Sequence, residues 1–287
     1  MIATSSRRAC GGDWGFGLLI RCGYDIAFEC TAPTPLLLML NIRPERQSDL
    51  QTPERFAVDP AVPFRTYRDV FGNVCTRLVA RAGVTHLTND FLVRDSGMPE
   101  QAPLGARQAE IDDLPDDALI YLLGSRYCDT DKLANFAWAQ FQNIEPGWPR
   151  VKAIADYAHS QIVFDYQQAR SDRSAFEAQG ERLGVCRDYA HLAISLCRCM
   201  NVPARYCTGY LGDIGVPPDP TPMDFSAWFD VFLGGQWHTW DARHNKPRIG
   251  RILMARGRDA ADVALSTAFG NAVLAKFEVI TQEVAGG

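Results

Sequence analysis

Residues 184–192 read Gly-Val-Cys-Arg-Asp-Tyr-Ala-His-Leu, and the largely apolar continuation to Met200 is stopped by Asn201-Val202-Pro203. A Gly-Val turn can open a helix and proline ends one, so the stretch predicts a helix beginning at Cys186. A thiol at that position faces unpaired backbone N–H groups and the positive end of the helix dipole, which favour a thiolate. Cys186 is therefore the best nucleophile in the chain. It needs a base within hydrogen-bond reach and a third group to orient that base. The five histidines are His86, His159, His191, His238 and His244. For His86, in a strand-rich stretch, and His159, at the end of a helical stripe, a surface or core role is the commoner one. His191 stands five residues after Cys186, about 140° round a helix, and points elsewhere. On a strand over residues 236–241, alternation puts Trp237, Thr239 and Asp241 on one face and His238 with Trp240 on the other. His244 lies three residues past Asp241 in a loop, where alternation does not fix its direction.

The order GVCRDYAHLAISLCRCMNVPARYCTGYL, then MDFSAWFDVFLGGQWHTWDARHN, resembles the bacterial transglutaminase-like superfamily, whose members are often named as cysteine proteases. The resemblance runs from about residue 20 to about residue 280. It implies an α+β architecture, with an N-terminal β-rich domain packed on a papain-like, transglutaminase-like core whose Cys-bearing helix lies against an antiparallel sheet. It places the family's nucleophile on Cys186 and its orienting aspartate on Asp241. The family's histidine, in a His-Ala-Trp pattern, falls on Ser226, whose hydroxyl cannot act as a base near neutral pH as imidazole does. Three arrangements stay open: a rearranged Cys186–His244 pair with Asp241 nearby, direct assistance by Asp241 or a bound water, and a site that has lost turnover. The implied chemistry is attack of the Cys186 thiolate on an amide carbonyl of a peptide or protein. Water resolves the thioester in a protease or amidase, and an amine resolves it in an acyltransferase. That mechanism requires no metal or organic cofactor. The alternative is a catalytically impaired fold that serves as a peptide- or protein-binding module.

The remaining polar and aromatic groups have plainer readings. Asp188, in the first helical turn with Arg187, complements the dipole structurally. Cys197, Cys199 and Cys207 lie near His191 in sequence, but zinc needs ligands that converge tetrahedrally. On a helix Cys199 falls nearly opposite the line shared by Cys186 and Cys197, so buried free thiols are the simpler expectation. Trp228, Trp237 and Trp240 read as paired-strand core, with a part in shaping an acyl-acceptor site as the alternative. The arginines from Arg248 to Arg258, with Asp259 or Asp262, are expected to tie down the C-terminal segment by ion pairs. No phosphate loop and no calcium loop is spelled out.

Composition bounds what these residues sit in. The chain has 287 residues, 47% hydrophobic and 22% charged, which suits one large or two modest globular domains. Its apolar runs, such as residues 36–40, are far short of the roughly 20 residues of a membrane span. A net charge of −5 argues against nucleic acid and for a peptide, protein or small-molecule partner. Nine cysteines form no dense framework, which points to reduced thiols in the cytoplasm. Residues 1–19 are expected to be a disordered N-terminal extension, not an export signal, because Gly11, Gly12 and Asp13 break the apolar stretch after Arg7 and Arg8. Residues 20–112 predict a β domain with strands at 24–30, 36–42, 74–79 and 85–93 and a turn at Phe71-Gly72-Asn73. Residues 113–287 predict the core domain. Its helices fall at 116–123, at 130–142 with N-cap candidates from Asp129 to Asp131, and at 148–159 on the stripe Val151, Ile154, Ala155 and Ala158. Residues 162–166 read as extended. Strands follow at 204–210, 225–233 and 236–241, the last two joined by a Gly234-Gly235 hairpin. None of these features sets the oligomeric state.

Overall fold

The computed structural model describes residues 17–220 and 222–284. Most of the expected N-terminal extension lies outside the described residues, and Leu18 and Leu19 already belong to the first strand. That strand, β1 (Leu18–Cys30), is followed by β2 (Thr34–Leu38), β3 (Ala57–Asp59), β4 (Phe64–Arg68), β5 (Val74–Ala80) and β6 (Gly83–Asp95). Gly72 turns the chain between β4 and β5 at φ +77, the left-handed conformation that a side chain resists.

The helical region opens with α1 (Asp116–Leu119), which tightens into a 3-10 turn over Ile120–Leu122. It continues through α2 (Thr130–Phe141), α3 (Trp148–Gln161), β7 (Val163–Phe164), α4 (Ala175–Glu181), β8 (Leu183–Gly184) and α5 (Cys186–Cys199). Asp129 occupies the N-cap position of α2 as expected, but its side chain makes no capping bond. Its carboxylate accepts from the Ser174 hydroxyl and the Phe176 N–H, tying down α4, which has its own Ser174–Glu177 capping box. The chain then forms β9 (Ala204–Tyr210), β10 (Ser226–Leu233), β11 (Gln236–Trp240), β12 (Ile252–Gly257), β13 (Ser266–Ala268) and β14 (Ala272–Glu283). Gly234 and Gly235, at φ +58 and +82, make the predicted hairpin between β10 and β11.

The core sheet is antiparallel with order β11-β10-β9-β12. Helix α5 packs on β9 and β10 and is covered by α2, α3 and α4, so every residue from Asp188 to Cys199 is buried. The α+β class is as predicted. Two further antiparallel sheets, β14-β1-β6-β3 and β13-β2-β5-β4, form the N-terminal β unit. Their inward residues, among them Ile20, Leu38, Leu78 and Phe91, join Tyr210, Ile252 and Met254 in one apolar cluster. The β unit is thus continuous with the edge of the core sheet.

Strand pairing divides the chain differently from the expected 113–287 core. β13 pairs with β2, and β14 runs antiparallel to β1 from Ile20↔Glu283 to Cys30↔Ala272. The reason is the exposed edge of β1, whose N–H and C=O groups need a ladder partner. A fragment of residues 113–287 is therefore expected to lack cooperative unfolding and to aggregate, because β13 and β14 lose their partners. Thermal melts and light scattering beside the full chain check this, and a fragment that melts cooperatively would contradict it.

Candidate active site

Cys186 is the first residue of α5, as its sequence context predicts. The turn before it is held by a buried carboxylate. Asp188 accepts from the backbone N–H of Val185 at 2.8 Å and pairs with the buried Arg173 at 3.2 Å. This is the structural, dipole-complementing role expected of Asp188. Gly184 allows it, since a Cβ there would stand 2.7 Å from the Asp188 side chain.

The sulfur lines a cleft of about 830 Å³ between the β unit and the core. Ile26, Phe28, Leu40 and Phe277 come from the β unit, while Arg126 and Arg187, both over the Tyr127 ring, line the cleft from the core. The expected helix-activated thiolate is not what the free site holds. Burial pushes the Cys186 thiol up to about 11 and the Asp224 charge adds to this, against Arg243 and a hydrogen bond from the Ala227 N–H. Desolvation of a partly enclosed sulfur outweighs the dipole.

Asp241 ends the hairpin's second strand and is buried. Its Oδ1 accepts from the backbone N–H of His244 at 2.9 Å, and its Oδ2 meets His244 Nδ1 at 2.8 Å and Arg251 at 2.7 Å. Burial works against its charge, yet Arg251 and then His244 hold its carboxyl well below the usual range. With Nδ1–H donating to Asp241, His244 Nε2 carries the free lone pair of a base. Among the described residues, no hydrogen bond joins Cys186 to an imidazole. His244 instead lines a second, smaller cavity with Ser226, Arg243 and Asp224.

The other histidines serve structure. His159 Nδ1 is 2.9 Å from the carbonyl of Arg243, and His238 Nε2 is 3.1 Å from that of Leu233. His191 is buried, is driven well toward its neutral form by desolvation, and accepts from the Ala260 N–H. His86 lies 3.4 Å from Asp25 in the β unit. Cys197, Cys199 and Cys207 are buried free thiols, and all eight cysteines among the described residues are unpaired. Trp228 lies under Arg251, Trp237 under Arg205, and Trp240 packs on Trp148 at 4.1 Å; none lines the Cys186 cleft. Arg258 pairs with Asp262 as expected, whereas Asp259 accepts the Tyr127 N–H. Sequence reasoning missed Arg251 as the partner of Asp241, and missed Asp224. The Asp-x-Ser-Ala-Trp spacing ahead of β10 was the available signal for Asp224.

A helix-borne cysteine against an antiparallel sheet, with a histidine–aspartate pair at that sheet's end, defines a transglutaminase-like core. Residues 135–242 match the family model described as transglutaminase-like superfamily. A crystal structure described as that of a putative cysteine protease from Cytophaga hutchinsonii aligns with a TM-score of 0.84 at 29% identity, over 95% of this chain and 93% of that one. An uncharacterized protein of Mycobacterium leprae is 28% identical over 215 residues, 71% of this chain and 75% of its own. One from Mycobacterium tuberculosis is 30% identical over 147 residues, about half of either chain. The resemblance to the transglutaminase-like superfamily is thus borne out, in sequence over residues 135–242 and in fold over 95% of the chain.

The Asp241–Arg251 pair predicts a pH signature. Replacing Arg251 by Met leaves a buried carboxylate without its cation, a change that costs roughly 3–5 kcal/mol. Asp241 titrates lower in the folded than in the unfolded chain. Its contribution is therefore present above about pH 4 and lost as pH falls further. Urea unfolding is expected to show the full deficit of Arg251→Met at pH 7 and a smaller one at pH 3.

Proposed function

We propose that the chain is a cysteine hydrolase or acyltransferase that opens amide bonds of peptides or proteins through a thioester on Cys186, with His244 as base and Asp241 orienting it. The observation that carries this reading is the His244–Asp241 contact, which turns a free imidazole nitrogen toward a cavity bordering the thiol's surroundings. The Cys186 sulfur attacks the carbonyl carbon, its proton passes toward His244, and the amide nitrogen departs carrying a proton. Water or an amine then attacks the thioester and returns the thiol. The backbone N–H of Ala227 and the free N–H groups at the start of α5 are donors of the kind that stabilise a developing oxyanion. A cleft of about 830 Å³ is large enough for several residues of an extended peptide. A reduced nucleophile requires a reducing compartment, and the cytoplasm is part of the proposal. No helix among the described residues is long and apolar enough to cross a membrane.

The binding-module alternative draws on Ser226, at the family's histidine position, and on the raised thiol. Intact-mass detection of an acyl-enzyme with peptide amides separates the two. The native chain is expected to form the adduct, Cys186→Ala to form none, and His244→Ala to form it about a hundredfold or more slowly, the range for loss of a positioned base. Ser226→His, which puts an imidazole at the family's histidine position, is expected to accelerate it. An unmodified native thiol together with saturable peptide binding would instead support the module.

A further inference from the structure

We propose that Asp224 carries the proton between Cys186 and His244, joining two groups that do not touch. This assignment rests on the proposed function and names the group through which that function works. Asp224 lies in the segment entering β10, two residues before Ser226. It lines the cleft that holds Cys186 and also the smaller cavity that holds His244, and no other residue lines both. The smaller cavity, about 80 Å³, has room for bridging water at about 30 Å³ per molecule. The carboxylate accepts the N–H of Phe225 at 2.6 Å, and no ion pair ties it up among the described residues.

Its surroundings suit a carrier. Cys186, on α5, shares the larger cleft with it, and Arg243 and His244 from the loop after β11 share the smaller cavity with it, as does Ser226 of β10. Tyr166, Asp213, Asp219 and Arg248 are the other ionisable groups lining the smaller cavity, and Arg126, Tyr127, Arg170, Arg187 and Tyr206 those lining the larger cleft. Burial pushes its carboxyl up to about 6, against the Phe225 N–H and Arg243, so it gains and loses a proton close to neutral pH. The Ser226 hydroxyl has no comparable basicity, and Asp241 is committed to Arg251 and His244.

The step balances as follows. As the C–S bond forms, the thiol proton passes to an Asp224 oxygen, and a water carries a proton on to His244 Nε2, leaving imidazolium beside Asp241. As the C–N bond breaks, the same path delivers the proton to the departing nitrogen. In the second half, water or an amine gives its proton to Asp224 while it attacks the thioester carbonyl, and the sulfur leaves as thiolate and recovers that proton.

The experiment uses the full chain, with p-nitrophenyl acetate as acyl donor and acetylation of Cys186 followed by intact mass across pH. Thiolate absorbance near 240 nm, taken against Cys186→Ala, reports ionisation of the sulfur. For Asp224→Asn the two readouts are expected to move in opposite senses. Acetylation at pH 7 falls about a hundredfold or more, whereas the thiol ionises more easily because a negative neighbour has gone. In the native chain acetylation falls off on the acid side near pH 6, and His244→Ala keeps that limb at a lower rate. Asp224→Glu restores part of the rate. An Asn variant that acetylates at the native rate or faster overturns the relay and leaves the proposed function standing. So does a native profile without the limb near pH 6, which needs no variant to fold. A native chain that forms no acetyl-enzyme overturns both.

Discussion

A carboxylate shut away from water is tolerable only beside a cation, and Asp241 meets that condition through Arg251. Much of the site's shape follows from this pair. Arg251 also binds Glu100, in the segment that leads out of the β unit, so one chain of charge links both halves of the molecule. On its other side Asp241 takes the backbone N–H and the ring of His244, and its carbonyl accepts the N–H of Asn245. The loop after β11 is therefore wound around a single buried anion, and the imidazole's direction follows from that anion's position.

Packing supplies the other constraint. Helix α5 has no solvent face beyond its first turn, being enclosed by three helices and the sheet. The thiol consequently sits at the one end of the helix that reaches a cavity. Enclosure has an electrostatic consequence as well, because the shielding that positions the sulfur also opposes its ionisation. In a site built this way the proton acceptor matters more than the helix dipole.

The main elements of the core were legible because their signals are local. A Gly-Val turn and a terminating Val-Pro bracket α5, and paired glycines mark the hairpin. Cys186 and Asp241 could be found through motif order. β14 could not, since its partly exposed face shows little alternation and its identity as a strand comes from the β1 edge it satisfies. The pairing of Arg251 with Asp241 arises from a contact between residues of different segments, which no spacing encodes. His244 was the intermediate case. Its proximity to Asp241 was visible in sequence, while the turn that aims it depends on buried charge.

One apolar wall of the cleft, Ile26, Phe28, Leu274 and Phe277, is contributed by the first and last strands of the described fold, with Ile26 paired to Phe277 in the β1–β14 ladder. Chain order thereby becomes a matter of timing. During synthesis Cys186, His244 and the core sheet all emerge before β14, so the thiol exists for a period without Leu274 and Phe277 across the cleft from it. The enclosure of the sulfur is therefore completed last, by a strand more than seventy residues further along the chain than Cys186 itself.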